Sequence, residues 1–269
     1  MDLPQEATHQ KLYVEERRAA ILSMLRQNSS VQVSEIAETF GVSRVTARAD
    51  LDALERDGKL RRTHGGAVSL SKTLTVSIQD ARVNVNVGAK RAIGVAASAL
   101  VSDGDSILVD SGTTALEFVR ALGGKSGVTV VTDDFTIADF VDRSMPAMNV
   151  IMLGGRLRKG HRYTCGPMAL SALRMLHPDK AFVVPTSFVP GRGFMTNYQA
   201  MAELKQAFLS CAETTVALLD YAKVGASGLM RFGSLEDVDT VVADSDPEGL
   251  LAAEAADCDA RLVIASPEA

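Results

Sequence analysis

The spacing of apolar residues changes character along the chain. Between residues 17 and 27, Ala20, Ile21, Met24 and Leu25 recur on one helical face with arginines elsewhere, which predicts a first helix. Asn28-Ser29-Ser30 breaks it. Ser34 is positioned to cap a second, short helix through Phe40, with Ile36, Ala37 and Phe40 turned inward. Gly41 then supplies a tight turn, Val42 an apolar plug, and Ser43 the cap of a third helix running to about Asp57. Ala47, Leu51 and Leu54 form the buried stripe of that helix, while Arg44 and Arg48 share another face near its start. This succession is a helix-turn-helix.

In that motif the N-terminal part of the last helix enters the DNA major groove. Arginine forks there read guanine or hold phosphates. Ser43, Arg44, Thr46 and Arg48 are therefore candidate DNA contacts on the helix. Gly58 ends it, and the basic segment that follows suits a wing lying along the DNA backbone, through Lys59, Arg61, Arg62 and His64. The bland alternative is a small helical domain whose arginines are merely solvated.

Residues 68–87 lack strong periodicity and are rich in Ser, Thr and Asn, as a linker would be. Beyond them the pattern becomes short apolar runs at 106–109, 128–131, 150–153, 181–184, 215–219, 240–242 and 261–264. Helix-like stretches at 90–101, 114–122, 135–141, 167–176, 200–211 and 248–256 separate most of them. Alternating strands and helices predict an α/β domain with a largely parallel, buried sheet. The expected division is thus an extension (1–15), an all-α winged helix-turn-helix head (16–67), a linker (68–87) and an α/β effector-sensing domain (88–269).

Ligands of such sheets gather at the carboxyl ends of the strands. The first predicted strand runs into Asp110-Ser111-Gly112-Thr113-Thr114 and then a helix, whose hydroxyls and free backbone N–H groups suit a phosphate. Hydroxyls at a helix start can equally be structural caps. Asp133 follows the second strand and Gly154-Gly155 the third. Glu203 and Lys205 lie on a later helix, and Lys223 after the fifth strand is a candidate phosphate partner. Asp110 and Asp133 are candidate acceptors for sugar hydroxyls.

Charge sharpens the division. The chain nets −5, yet residues 16–66 hold nine Lys or Arg against seven acids, so the acidic excess belongs to the rest. The three cysteines, Cys165, Cys211 and Cys258, are far apart and make no CxxC pair, so neither a metal site nor a disulfide framework is expected. No run approaches the roughly 18 apolar residues of a membrane helix, and residues 1–10 carry no apolar signal core. A cytoplasmic location is expected.

The head resembles that of the DeoR family of bacterial repressors. The resemblance rests on Glu16-Arg17-Arg18, the stretch from Val33 to Ser43, Leu51…Leu54-Glu55…Gly58, and Arg62-Thr63-His64-Gly65-Gly66-Ala67. The second half is similar to the same family's sensor domain through Asp110 to Thr114, Val130-Val131-Thr132, Leu153-Gly154-Gly155, Gly166, Asp179 to Phe182, Glu203-Leu204-Lys205 and Asp220…Lys223…Gly225. That resemblance implies a fold like ribose-5-phosphate isomerase and the CoA transferases. It also implies that Ser111 to Thr114 and Lys223 hold the phosphate of a sugar-phosphate effector. Double-stranded operator DNA would be the partner, bound by a homo-oligomer, with no cofactor. Five departures stand out: Ala47 and Ala49 where the family usually has isoleucine and arginine, Asp133 where it commonly has asparagine, Ala222 where it commonly has serine before the lysine, and Pro185 in place of a more usual glycine-containing strand end. A carboxylate at Asp133 is expected to disfavour a nearby anion. Two rivals remain: an isomerase-like enzyme carrying a DNA-binding head, and a regulator whose sensor no longer responds to ligand.

Overall fold

A computed structural model of the chain describes residues 14–28, 30–63, 65–69 and 85–265. Contacts divide the chain into two units, Met1–Val76 and Ser77–Ala269.

The first unit runs α1 (Val14–Asn28), β1 (Ser30–Gln32), α2 (Val33–Phe40), α3 (Arg44–Arg56), β2 (Leu60–Thr63) and β3 (Gly66–Ser69). Ser43 caps α3, its hydroxyl accepting from the Thr46 amide at 3.1 Å. The start of α2 differs from the expectation. Its N-cap is Gln32, whose backbone N–H donates to the Glu35 carboxylate at 3.3 Å, and Ser34 lies inside the first turn. The cap moves because β1 feeds directly into the helix. Strands pair antiparallel in the order β1-β3-β2, so the basic segment forms one arm of a hairpin and the head adds a small sheet to its helices. Strand β3 continues to Ser69, past the expected end of the head at residue 67.

The Gly65-Gly66 pair has a steric reason. Gly66 faces Gln32 in the sheet, where an added Cβ would lie 1.9 Å from the Val31 carbonyl oxygen. Ile21, Leu25, Val31, Ile36, Ala47, Leu51, Leu54 and Leu60 make the core of the head. Asp50 is also buried, and it accepts from Arg17 at 2.6 Å and Arg18 at 3.2 Å, tying α3 to α1.

Among the described residues, the first element of the second unit is α4 (Val87–Ser98), and its main sheet has seven parallel strands: β4 (Ser106–Val109), β5 (Thr129–Thr132), β6 (Asn149–Met152), β9 (Lys180–Val183), β12 (Thr214–Leu219), β14 (Thr240–Ala243) and β15 (Arg261–Ile264). Each of the seven apolar runs noted in the sequence falls on one of these strands. Their order is β15-β14-β12-β9-β4-β5-β6. The chain winds outward from β4 through β5 to β6, then returns to β9 on the other side of β4 and winds outward the other way. The order therefore reverses between β4 and β9, and that point is where open α/β sheets place a ligand crevice.

Side chains alternate between two cores, as the strand period requires. Ile107 and Val109 join one cluster with Ile93, Leu116, Val119 and Ile137 from α4, α5 (Thr113–Ala121) and α6 (Phe135–Ser144). Leu108 joins the other with Leu173, Leu204 and Leu251 from α7 (Pro167–Leu173), α8 (Gln199–Cys211) and α9 (Leu250–Ala256). Two additions had no clear pattern in the sequence. One is a hairpin of β7 (Arg156–Arg158) and β8 (Tyr163–Cys165); the other is a small antiparallel sheet of β10 (Ser187–Val189), β11 (Gly193–Thr196) and β13 (Met230–Gly233).

Candidate functional site

Two surfaces carry the candidate chemistry, one on each unit. On the head, burying Ala47, Leu51 and Leu54 turns Arg44 and Arg48 outward at the start of α3, where both are exposed. The Ser43 and Thr46 hydroxyls lie 2.9 Å apart and bond to each other within the cap. Their first task is to hold the helix start that carries the arginines. Lys59 is exposed just beyond the helix. Arg62 turns back into the protein: its guanidinium donates to the Arg48 carbonyl at 3.1 Å and the Gly66 carbonyl at 3.2 Å, and pairs with Asp52. It fastens the hairpin to α3 and so is a positioning residue. The side chain of Arg61 and all of His64 lie outside the described residues.

The second surface is a cavity of about 340 Å³ at the carboxyl ends of β4, β9 and β12, in the crevice where the strand order reverses. Ser111, Gly112, Thr113 and Thr114 line it from the turn after β4, and Lys223 from the turn after β12. Helix α5 begins there at Gly112 with no side-chain cap, and Gly112 takes φ +141°, which a residue with a Cβ rarely adopts. The Gly112 amide donates to Asp134 at 3.2 Å, which fixes the turn. The Thr114 hydroxyl is buried in the cavity wall with no hydrogen-bond partner. Lys223 donates to the Pro185 carbonyl at 3.0 Å, holding its ammonium at the cavity edge.

Lys205 also lines the cavity, from α8. Its ammonium pairs with the wholly buried Asp110 and donates to the Val184 carbonyl at 2.8 Å. Asp110 further accepts from the Ser111 amide at 2.8 Å and the Val184 amide at 2.7 Å. With those bonds made, Asp110 is a strut between β4, β9 and α8 and does not line the cavity. Asp133 is likewise fully buried and lies behind the lining; both its carboxylate oxygens lack partners. Burial, reinforced by the charges of Asp110 and Asp134 and opposed by Lys205, pushes its pKa well above the usual carboxylate range. The shift favours the uncharged form, which repels an anion less than a carboxylate does.

Three expected residues lie elsewhere. Glu203 is exposed, accepts from Gln199 at 2.9 Å, and lines a separate groove with Arg156 and Met168. It stands two residues from Lys205 on α8, and such residues project from different faces of a helix. Gly154 and Gly155 turn the chain into the β7/β8 hairpin, where a Cβ on Gly155 would lie 2.8 Å from the Cys165 carbonyl oxygen. They shape the hairpin and do not line the cavity.

Other lining residues escaped the sequence reading. The hairpin brings Arg158, His161 and Tyr163 to the cavity. Arg158 bonds to the Tyr163 hydroxyl and stacks over the Tyr198 ring, 4.1 Å from its centroid. Burial is the chief cause pushing the Tyr163 pKa up to about 12. From the start of α4 come Asn86 and Lys90; Asn86 donates to Asp220 at 3.1 Å, and Asp220 caps the turn that carries Lys223.

Comparison with known proteins settles the family. Residues 85–245 match the DeoR C terminal sensor domain, and residues 17–73 match the DeoR-like helix-turn-helix domain. The chain belongs to the DeoR family. It is a DNA-binding transcriptional regulator with a C-terminal sensor domain. The transcriptional repressor AccR of Agrobacterium fabrum is 30% identical over 86% of this chain and 90% of its own length. The repressor GlcR of Bacillus subtilis is 29% identical over 88% and 90%. A putative aga operon transcriptional repressor of Escherichia coli O157:H7 is 30% identical over 85% and 86%. These relatives are regulators, not enzymes, and the isomerase reading falls with them. Among solved structures, ribose 5-phosphate isomerase A of Methanocaldococcus jannaschii is similar over 50% of this chain and 53% of its own, at 17% identity and a TM-score of 0.37. As for the departures of this DeoR-family chain, Ala47 is fully buried in the head core and Ala49 is exposed on α3.

Proposed function

We propose that this DeoR-family regulator represses carbohydrate-metabolism genes and that its sensor cavity takes a phosphorylated sugar or sugar alcohol as effector. The observation that carries the reading is the Ser111 to Thr114 turn: an uncapped helix start with a buried, unpartnered Thr114 hydroxyl in the same cavity wall. A helix N-terminus offers amide donors and the positive end of the macrodipole, which together favour a phosphate. Lys90, Arg158 and Lys223 add positive charge around the same space. A volume of about 340 Å³ suits a small metabolite. Thr186 and Asn197 on the wall supply partners for hydroxyls.

Arg44, Arg48, Lys59 and the basic arm of the hairpin meet DNA in this reading. One recognition helix buries too little surface for tight specific binding, so the regulator acts as a homo-oligomer on repeated half-sites. The effector shifts the balance between DNA-competent and DNA-incompetent arrangements by preferring one of them. The test is fluorescence anisotropy of the full chain on DNA from its own upstream region, at fixed salt, with paired phosphorylated and unphosphorylated sugars and sugar alcohols. A shift produced by a phosphorylated compound and absent with its parent is expected. Specific binding indifferent to every pair would remove the phosphate reading and leave the regulator.

A further inference from the structure

The recognition face of α3 carries an apolar residue among its arginines. Val45 is the second residue of the helix and is 73% exposed. Nothing in the fold requires valine there: the helix buries Ala47, Asp50, Leu51, Ala53 and Leu54 on the opposite side. A β-branched residue is also a mediocre choice for an exposed helix start, since it loses rotamer freedom that alanine does not. Its neighbours on the face are informative. Ala49 lies one turn on, at i+4, also exposed, so the two make a short apolar strip beside the parallel i, i+4 pair Arg44 and Arg48. Ser43 and Thr46 use their hydroxyls within the cap. Asp52 shares the face one turn further on and pairs with Arg62.

We propose that Val45, supported by Ala49, reads the 5-methyl group of a thymine in the operator major groove, next to a position read by Arg44 or Arg48. The occupant follows from the setting. An apolar side chain at the start of a groove-inserted helix meets base edges, and the thymine methyl is the one apolar group that the major-groove edges present. The flanking arginines supply the phosphate and guanine contacts that bring the helix to that depth. The strip thereby specifies thymine beside guanine, a discrimination that arginines alone do not make.

The experiment uses the full chain and DNA that it enriches from a random duplex pool. The enriched duplex is resynthesised with deoxyuridine in place of single thymidines, which removes the methyl and leaves the pairing intact. Affinities are read by anisotropy at one salt concentration. At least one thymine per half-site should show a roughly three- to fivefold loss on demethylation, the size expected for withdrawing one buried methyl group. Val45→Ala should bind the thymidine duplex as weakly as the unaltered chain binds the deoxyuridine duplex, and should be indifferent to that substitution. Arg48→Ala should bind more weakly while keeping its response to it. The exposed position and alanine's helix propensity keep Val45→Ala folded, and circular dichroism checks this. Enriched DNA whose binding ignores every thymine methyl overturns the proposal, and so does a Val45→Ala protein that still senses the same methyl. A pool without enrichment overturns it together with specific DNA recognition itself.

Discussion

Asp110 and Lys205 lie 95 positions apart in the chain yet form an ion pair almost wholly removed from solvent, at the point where the strand order reverses. The same Asp110 accepts the Val184 amide, and the same Lys205 donates to the Val184 carbonyl. Three elements that bound the cavity are thus joined through one pair. Removing one partner leaves the other charge buried and uncompensated. Lys205→Met should therefore destabilise the sensor unit by about 3–5 kcal/mol. Urea unfolding of the full chain measures it; a loss below about 1 kcal/mol, the range of an exposed pair, would show that the pair is not holding the cavity together.

Gly94 links packing to the Ser111 to Thr114 turn by a different route. A Cβ there would lie 2.7 Å from the Glu117 carbonyl, so α4 and α5 approach as closely as only glycine allows. Gly94→Ala must push α5 away, and overpacking of this kind costs about 1–3 kcal/mol. Because α5 starts at the Ser111 to Thr114 turn, the variant should also raise the effector concentration needed for response. Unchanged thermal stability together with unchanged response would mean that the helices part without strain.

Buried parallel strands read as continuous apolar runs, which is why residues 107–109 and 181–183 announced themselves before any coordinates. The helix-turn-helix was equally legible, because Gly41, Ser43 and the Ala47-Leu51-Leu54 stripe follow from local chemistry. The β7/β8 hairpin was not. Its strands are three residues long, Arg156 and Leu157 are exposed, and no period emerges over so short a span. Arg158, His161 and Tyr163 therefore reached the cavity unannounced. Asp110 and Asp133 were noticed for their chemistry, but what they do depends on partners or on burial, which sequence position does not reveal. Glu203 and Lys205 could have been separated in advance, since two positions along a helix project in different directions.

Asp133 makes stability depend on pH in a definite direction. Its pKa is raised in the folded protein by burial first and by Asp110 and Asp134 next, against an ordinary value of 3.8. Above that value the unfolded chain releases a proton that the folded chain retains, so the contribution of Asp133 to stability falls as pH rises from about 3.8 toward its folded pKa, and is level beyond it. Asp133→Asn removes this slope. In urea unfolding the variant should gain on the unaltered protein as pH increases over that interval. A difference independent of pH would place an ordinary, solvated carboxylate at this position.

Arg48 and Arg62 are both arginines of the DNA-binding head, but the structure gives them different work. Arg48 is exposed on the recognition face, whereas Arg62 bonds to the Arg48 and Gly66 carbonyls and pairs with Asp52. Arg48→Ala should weaken specific binding by about 1–3 kcal/mol and relax the preference at one base position, without altering the melting of the head. Arg62→Ala should lower the thermal stability of the head, and weaken specific and nonspecific DNA alike. Identical effects of the two substitutions on both readouts would contradict the separation.

Lys223 tests the sensor directly. Its ammonium is held at the cavity edge by the Pro185 carbonyl, on a turn that Asp220 caps. A hydrogen bond to a charged group contributes about 1.5–3 kcal/mol, so Lys223→Ala should raise the effector concentration for half-maximal response by roughly ten- to a hundredfold. DNA affinity without effector should stay the same, since the residue lies in the sensor unit and the groove-reading helix in the other. If the lost contact is to a phosphate, as proposed, the unphosphorylated parent compound should bind the variant and the unaltered chain equally poorly. Unchanged effector sensitivity would mean that the effector binds outside this cavity or that the cavity holds its phosphate without Lys223. A parallel Thr114→Val variant separates these outcomes: a response lost there identifies the helix start as the phosphate cradle, and a response retained there as well puts the effector outside this cavity.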